Sequence, residues 1–210
     1  MSAAPRERER ERGVAKLRQY IFGYTQVRLS LVAGYSKFRI SSGELDEKTF
    51  VGVDNLLQNK VGKTISGHIP ESGNWTKYSP ESILIGNIRP YLRKIWFADN
   101  TGGASGDVLV IENDFDQLDN RYLYHVLSSE RFFEYDNGKS KGSKMPRGDK
   151  TAIMEFTFTI PTLEKQKETS LILDEFDKLT NDITSGLPAE IEARQKQYEY
   201  YRNKLLSFNF

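Results

Sequence analysis

The residues that could do chemistry are few in this chain of 210 residues, which has no cysteine and two histidines. Without cysteine there is no disulfide, no thiolate zinc site, no iron–sulfur cluster and no cysteine nucleophile. Two tripeptides, Gly62-Lys63-Thr64 and Gly138-Lys139-Ser140, imitate the end of a phosphate-binding loop. That loop needs a glycine five positions earlier so that backbone N–H groups can wrap a phosphate, and Leu57 and Phe133 stand there instead. Gly102-Gly103-Ala104-Ser105-Gly106 precedes a strand-like run rather than a helix and reads as a flexible turn. His125 lies between Tyr124 and Val126 on a helix that packs, which suits a structural histidine, and His68 has no nucleophile partner in sequence. No His-Glu-x-x-His pair or Asn-Pro-Pro-aromatic motif occurs. The acids between 107 and 119 read as a solvated rim. No catalytic residue, metal site or cofactor is expected.

What the chain does have is uneven charge behind a formal net charge of +1. Residues 1–20 hold six bases and three acids, and residues 55–98 hold six bases and two acids. Residues 99–120 then carry six acids and no base, and residues 139–150 carry five bases against Asp149 alone. Concentrated basic loops can bind a polyanion locally, since attraction to phosphate acts over a Debye length of about 8–10 Å. The same loops also fit a solvated surface balanced by the acidic stretch. Lys139, Lys141, Ser143, Lys144 and Arg147 sit among Gly138, Gly142 and Gly148, a composition that lets backbone follow a phosphate chain closely. Arg89, Tyr91, Arg93 and Lys94 form a second set around Pro90, and Lys60 and Lys63 a third. An arginine fork can read guanine, and Gln58, Asn59 or Asn74 can read adenine, if they reach a groove. Pairing of Arg89 or Arg93 with acids from 99–119 is the competing reading.

The elements that must carry these loops are strand-like from about Tyr24 to Asp114. Gln26–Val32, Lys37–Ile40, Thr49–Val53, Ser82–Ile88, Ile95–Ala98 and Val108–Ile111 are short β-branched or aromatic runs separated by Gly, Pro and Asn. They predict a mixed sheet. Asp119 or Asn120 caps a helix expected to reach Glu134, and Phe156–Ile160 is a further strand. The N-terminal run Arg6-Glu7-Arg8-Glu9-Arg10-Glu11-Arg12 places like charges at i,i+4 and has nothing to bury, so residues 1–21 are expected to be disordered. With 38% hydrophobic and 12% aromatic residues the rest can fill a core. There is no run of about 18 apolar residues to cross a bilayer and no signal-like N-terminus, so a soluble cytoplasmic protein is expected.

Beyond Pro161 the pattern becomes helical. Thr162 caps a helix to about Asn181 with Ile172, Leu173, Phe176, Leu179 and Ile183 on one stripe. After Ser185-Gly186-Leu187-Pro188 a second helix begins, in which Leu187, Ile191, Arg194, Tyr198, Tyr201 and Leu205 alternate by four and three, the rhythm of a coiled-coil seam. Residues 188–208 would make a rod of about 31 Å. Such a helix either meets a partner or packs on its own sheet.

These residues together resemble the specificity subunits of type I restriction-modification systems. The resemblance is carried by Ile83-Leu84-Ile85-Gly86-Asn87-Ile88-Arg89-Pro90-Tyr91-Leu92-Arg93-Lys94 and by the stretch from Gly138 to Phe156-Thr157-Phe158-Thr159-Ile160-Pro161. The tail carries it most specifically: Leu163-Glu164-Lys165-Gln166, Ile172-Leu173-Asp174-Glu175-Phe176-Asp177, and Gly186-Leu187-Pro188 onward to Arg202. The resemblance implies a non-catalytic α+β protein: a mixed-sheet target recognition domain at 22–161, reading half of a split sequence in double-stranded DNA, then long C-terminal helices at 162–210 forming an antiparallel coiled-coil spacer and dimerisation region. Family members carry two domains and two helical regions, and here there is one of each. That implies a half-subunit pairing with a second half, or a truncated cassette. Implied partners are DNA adenine methyltransferase subunits, which bring their own cofactor, and a motor-nuclease subunit. The residues alone also fit a coiled-coil adaptor whose globular head binds protein.

Overall fold

The computed structural model describes residues 5–142, 144–181, 190–194 and 196–197. The chain divides into two compact units, Met1–Lys167 and Glu168–Phe210.

In the first unit the chain runs through α1 (Pro5–Phe22), β1 (Tyr24–Arg28), α2 (Leu29–Val32), β2 (Ala33–Tyr35), β3 (Arg39–Ser41), β4 (Phe50–Val51), β5 (Asn74–Tyr78) and β6 (Ile83–Gly86). It continues through β7 (Ile95–Phe97), β8 (Gly102–Ala104), β9 (Val108–Asn113), α3 (Asn120–Leu127), α4 (Glu130–Lys139), α5 (Lys150–Met154) and β10 (Thr157–Pro161), and α6 (Leu163–Asn181) follows. The class is α+β, but the single mixed sheet expected is three sheets. β1 and β10 pair antiparallel, β2-β9-β6-β7 form an antiparallel sheet, and in β3-β5-β8-β4 the β4–β8 pair is parallel.

β6 explains how the layers stack. All four of its residues are buried, and successive side chains point to opposite faces of a strand. Ile83 and Ile85 join Ile95, Leu109, Ile111 and the helical residues Leu123, Leu127, Phe132 and Ile153 on one side. Leu84 joins Trp96, Val108, Val110, Val51, Leu56 and Tyr78 on the other. A strand covered on both faces has to be apolar throughout, which is why Ile83-Leu84-Ile85 does not alternate.

Three expectations need correction. The N-terminal segment is not disordered from residue 5 onward but forms α1. Arg8, Arg12 and Lys16 recur every four residues on one face, and their mutual repulsion is relieved by acids far along the chain: Asp114 pairs with Arg8 and Arg12, and Asp116 with Lys16. Ala15 and Gln19 are buried on the same helix. The single helix expected from Asp119 to Glu134 is two, because the Ser129 hydroxyl accepts from the Phe132 N–H and starts α4 afresh. Asp119 does cap α3, accepting from the Tyr122 N–H at 2.9 Å. The glycine-rich stretch at 102–104 is not a turn but the buried strand β8. A Cβ on Gly102 would lie 2.0 Å from the Thr49 carbonyl oxygen, so the strands approach more closely than any side chain allows.

Gln166, next to the end of this unit, is fully buried. Its amide donates to the carbonyls of Pro161 and Gln117 at 2.7 and 2.9 Å, and its oxygen accepts from the Asp119 N–H at 2.8 Å. This side chain ties the start of α6 to the start of α3, which gives the Leu163-Glu164-Lys165-Gln166 motif its physical content.

In the second unit α6 continues to Asn181 with Leu171, Ile172, Leu173, Phe176 and Leu179 exposed. Residues 190–194 are helical, with Glu190 pairing Arg194 across one turn and Ile191 exposed. Leu187, Tyr198, Tyr201 and Leu205 of the expected seam lie outside the described residues. Among the described residues no helix is long and apolar enough to cross a membrane.

Candidate nucleic-acid interface

Three loops that are far apart in sequence meet at one end of the first unit. The loop at 57–63 closes on itself through the Leu57 N–H and the Gly62 carbonyl, 2.8 Å. It joins the loop at 87–94 through Asn59 N–H to Leu92 O and Lys60 N–H to Arg93 O, both 3.0 Å. That loop in turn joins the loop at 139–148 through Arg89 N–H to Pro146 O at 2.7 Å and Gly148 N–H to Asn87 O at 3.1 Å. Lys141 and Arg147 exchange two backbone hydrogen bonds of 2.9 Å, so the last loop is a narrow hairpin with Lys144 in its tip segment.

The backbone here is held in unusual conformations. Among the described residues five that are not glycine have left-handed backbone, and four of them, Asn59, Lys60, Arg89 and Arg93, lie in the first two of these loops. Side chains with a Cβ adopt that region at an energetic cost, which persists only where surrounding contacts fix it. The inter-loop hydrogen bonds supply those contacts. Gly148 is needed for another reason: a Cβ there would lie 2.5 Å from Asp136 Oδ1 and 2.8 Å from Asn87 Oδ1.

The basic residues singled out in the sequence all fall on these loops, though they do different work. Lys60, Arg89, Tyr91, Lys139, Lys141, Lys144 and Arg147 are exposed. Lys141 reaches Asp149 at 2.6 Å and Arg147 reaches Asp107 at 3.2 Å, both as surface pairs. Arg93 pairs with Glu130 rather than with an acid from 99–119. Lys63 and Lys94 are turned inward. The Lys63 ammonium donates to the Lys48 carbonyl at 2.7 Å and sits 4.8 Å from the centre of the Trp96 ring, while Lys94 donates to the Val53 carbonyl at 2.5 Å. Burial holds both ammonium groups below the usual lysine pKa. Their ammonium groups are engaged with backbone carbonyls and brace the loops. Ser143 lies outside the described residues.

Sequence reasoning missed the polar floor beneath the hairpin. Asp136 is 1% exposed, and neither of its oxygens has a hydrogen-bond partner; Asn87 Oδ1 beside it has none either. Burial raises the Asp136 carboxyl from 3.8 to about 6. A signal was available: Asp136 stands four residues after Phe132 and three after Phe133, on the apolar face of α4.

Residues 44–193 match the family model described as the type I restriction modification DNA specificity domain. The specificity subunit of type I restriction enzyme EcoR124I/EcoR124II from Escherichia coli is 43% identical over 88 residues, which is 42% of this chain and 22% of that protein. The type I specificity subunit S.MpnORF285P of Mycoplasma pneumoniae is 29% identical over 223 residues, covering 96% of this chain and 68% of its own. The crystal structure of the HsdS subunit from Thermoanaerobacter tengcongensis has the same fold, with a TM-score of 0.60, 17% identity, and coverage of 88% of this chain and 47% of that one. The chain thus spans about half of that subunit and matches under a quarter of the length of the E. coli relative. With the family model covering residues 44–193, well over half of the chain, the chain belongs to the type I restriction-modification DNA specificity domain family.

Proposed function

We propose that the first unit is a target recognition domain that binds one half of a two-part sequence in double-stranded DNA, and that the second unit supplies the spacer that sets the distance to another such domain. The observation that carries this reading is the joining of three basic loops into one exposed surface by backbone hydrogen bonds. Lys60, Arg89, Lys139, Lys141, Lys144 and Arg147 can neutralise phosphates there, with the rigid backbone holding them in register. The chain itself does no chemistry in this reading. It directs DNA adenine methyltransferase subunits, and with them a motor-nuclease subunit, to the target, in the cytoplasm where the DNA is. The test is methylation-site sequencing of DNA from cells carrying this chain and a methyltransferase subunit. Adenine methylation at a two-part motif is expected, and its loss when Lys141, Lys144 and Arg147 are replaced; a pattern indifferent to those residues overturns the reading.

The spacer is read as an antiparallel coiled coil between two copies. The exposed Leu171, Ile172, Phe176 and Leu179 of α6 and the exposed Ile191 support an unfilled apolar seam. Sedimentation of the purified chain is expected to give the mass of two copies, and polar residues in place of Leu187, Ile191, Tyr198 and Leu205 are expected to give the mass of one. A pair that survives these substitutions places the seam elsewhere.

A further inference from the structure

Three apolar side chains interrupt the cations of the interface. Val61 lies between Lys60 and Gly62 and is 59% exposed, Tyr91 lies inside the turn Pro90–Leu92 and is 51% exposed, and Met145 lies between Lys144 and Pro146 and is 47% exposed. Each comes from a different one of the three joined loops. The turn that carries Tyr91 is flanked on one side by the 57–63 loop, through Lys60 N–H and Arg93 O, and on the other by the hairpin, through Arg89 N–H and Pro146 O. The three residues therefore lie on adjoining loops, each beside a lysine or arginine in sequence or one residue removed.

Single exposed apolar residues are ordinary. These three differ in their setting, because the backbone that carries them is fixed by left-handed residues at Lys60, Arg89 and Arg93 and by the inter-loop hydrogen bonds. Apolar groups held among phosphate-binding cations face whatever lies between the phosphates. On a major-groove base edge the apolar feature is the C5-methyl group of thymine. We infer that Val61, Tyr91 and Met145 form an apolar strip that recognises thymine methyl groups in the major groove, and so determine specificity where the cations supply only grip. This rests on the DNA-binding reading above and adds which base feature is read.

The test starts from a pool of random duplexes selected on the full chain. The tightest binder is resynthesised with deoxyuridine in place of thymidine, which removes the methyl groups and keeps the base pairing. The chain is expected to bind the uridine duplex about fourfold more weakly for each methyl group it buries. Val61→Ala, Tyr91→Ala and Met145→Ala are each expected to weaken binding to the thymidine duplex and to narrow the difference between the two duplexes. The salt dependence should not move, since no cation is removed. These positions are exposed, so the variants should keep the thermal midpoint of the parent. Equal affinity for both duplexes with an intact salt dependence overturns methyl recognition and leaves DNA binding standing. Variants that weaken both duplexes by the same factor also overturn it. Absence of any salt-dependent binding overturns both readings together.

Discussion

Alanine at Lys141, Lys144 and Arg147 together is expected to weaken duplex binding far more at low salt than at high salt. Each phosphate neutralised by a cation releases counterions and contributes about 0.9 to the slope of log affinity against log salt. Three lost contacts flatten that slope by about 2.7, so the ratio of parent to variant affinity should fall about fortyfold between 50 and 200 mM salt. Two of the three cations already have acidic neighbours, Asp149 and Asp107. Those pairs are exposed, and exposed pairs are worth at most about 1 kcal/mol, so a phosphate can displace them. Lys63→Ala is the informative contrast. Its ammonium is spent on the Lys48 carbonyl and the Trp96 ring, so this change should leave the slope nearly unaltered. Fluorescence titration of a labelled duplex at four salt concentrations reads both. A triple variant with the parent's slope removes the hairpin from the interface.

The contrast between Lys63 and Lys141 also marks where sequence reasoning stops. Both are lysines beside glycines, and residue type makes both candidates for phosphate. Which one is turned inward depends on Trp96 and on the Lys48 carbonyl, and nothing in the spacing of the chain announces that they converge. The same holds for α1. Its repeated arginines look destabilising when only i,i+4 neighbours are considered, yet the acids that pair with them lie about a hundred residues away. β8 reversed the usual meaning of glycine. Gly102 and Gly103 are required by the close approach of Thr49, Leu45 and Ile40, so a stretch that reads as a turn is a buried strand. Local signals fared better wherever one residue decides the outcome, as with Asp119 capping α3 and the buried run of β6. The basic character of the interface was legible because charge density is a property of composition. Its assembly from three loops was not, because that is set by backbone hydrogen bonds between segments some thirty to sixty residues apart.

Asp136→Asn is expected to stabilise the protein at pH 8 and to leave it unchanged near pH 4. The folded carboxyl has its pKa raised by burial from 3.8 to about 6. Below about pH 4 it is protonated in both folded and unfolded chains and contributes no pH dependence. As pH rises toward 6 the unfolded chain gives up its proton while the folded one keeps it, so folding loses stability through that window and the loss is complete above it. That rise corresponds to roughly 3 kcal/mol. Asparagine removes the ionisation and brings an amide that can donate to the orphaned Asn87 Oδ1, so a gain of about 1–3 kcal/mol at pH 8 is expected, read as a higher denaturation midpoint at unchanged m-value. The acids whose pKa values are lowered, Asp46, Asp116, Asp149 and Glu192, act in the opposite sense and at more acidic pH, as each loses its hydrogen-bonded carboxylate. Comparing variant with parent at each pH cancels them. Asp136→Ala separates charge from packing, since it removes the carboxylate but leaves a gap beneath Gly148 and Asn87 unpartnered, and it should gain less than asparagine at every pH. Identical stability of parent and Asp136→Asn at pH 8 would mean that the carboxylate finds solvation beneath the hairpin. The floor of the interface would then be hydrated, and the loop above it would owe its position to the backbone bonds of Asn87, Arg89 and Lys141 alone.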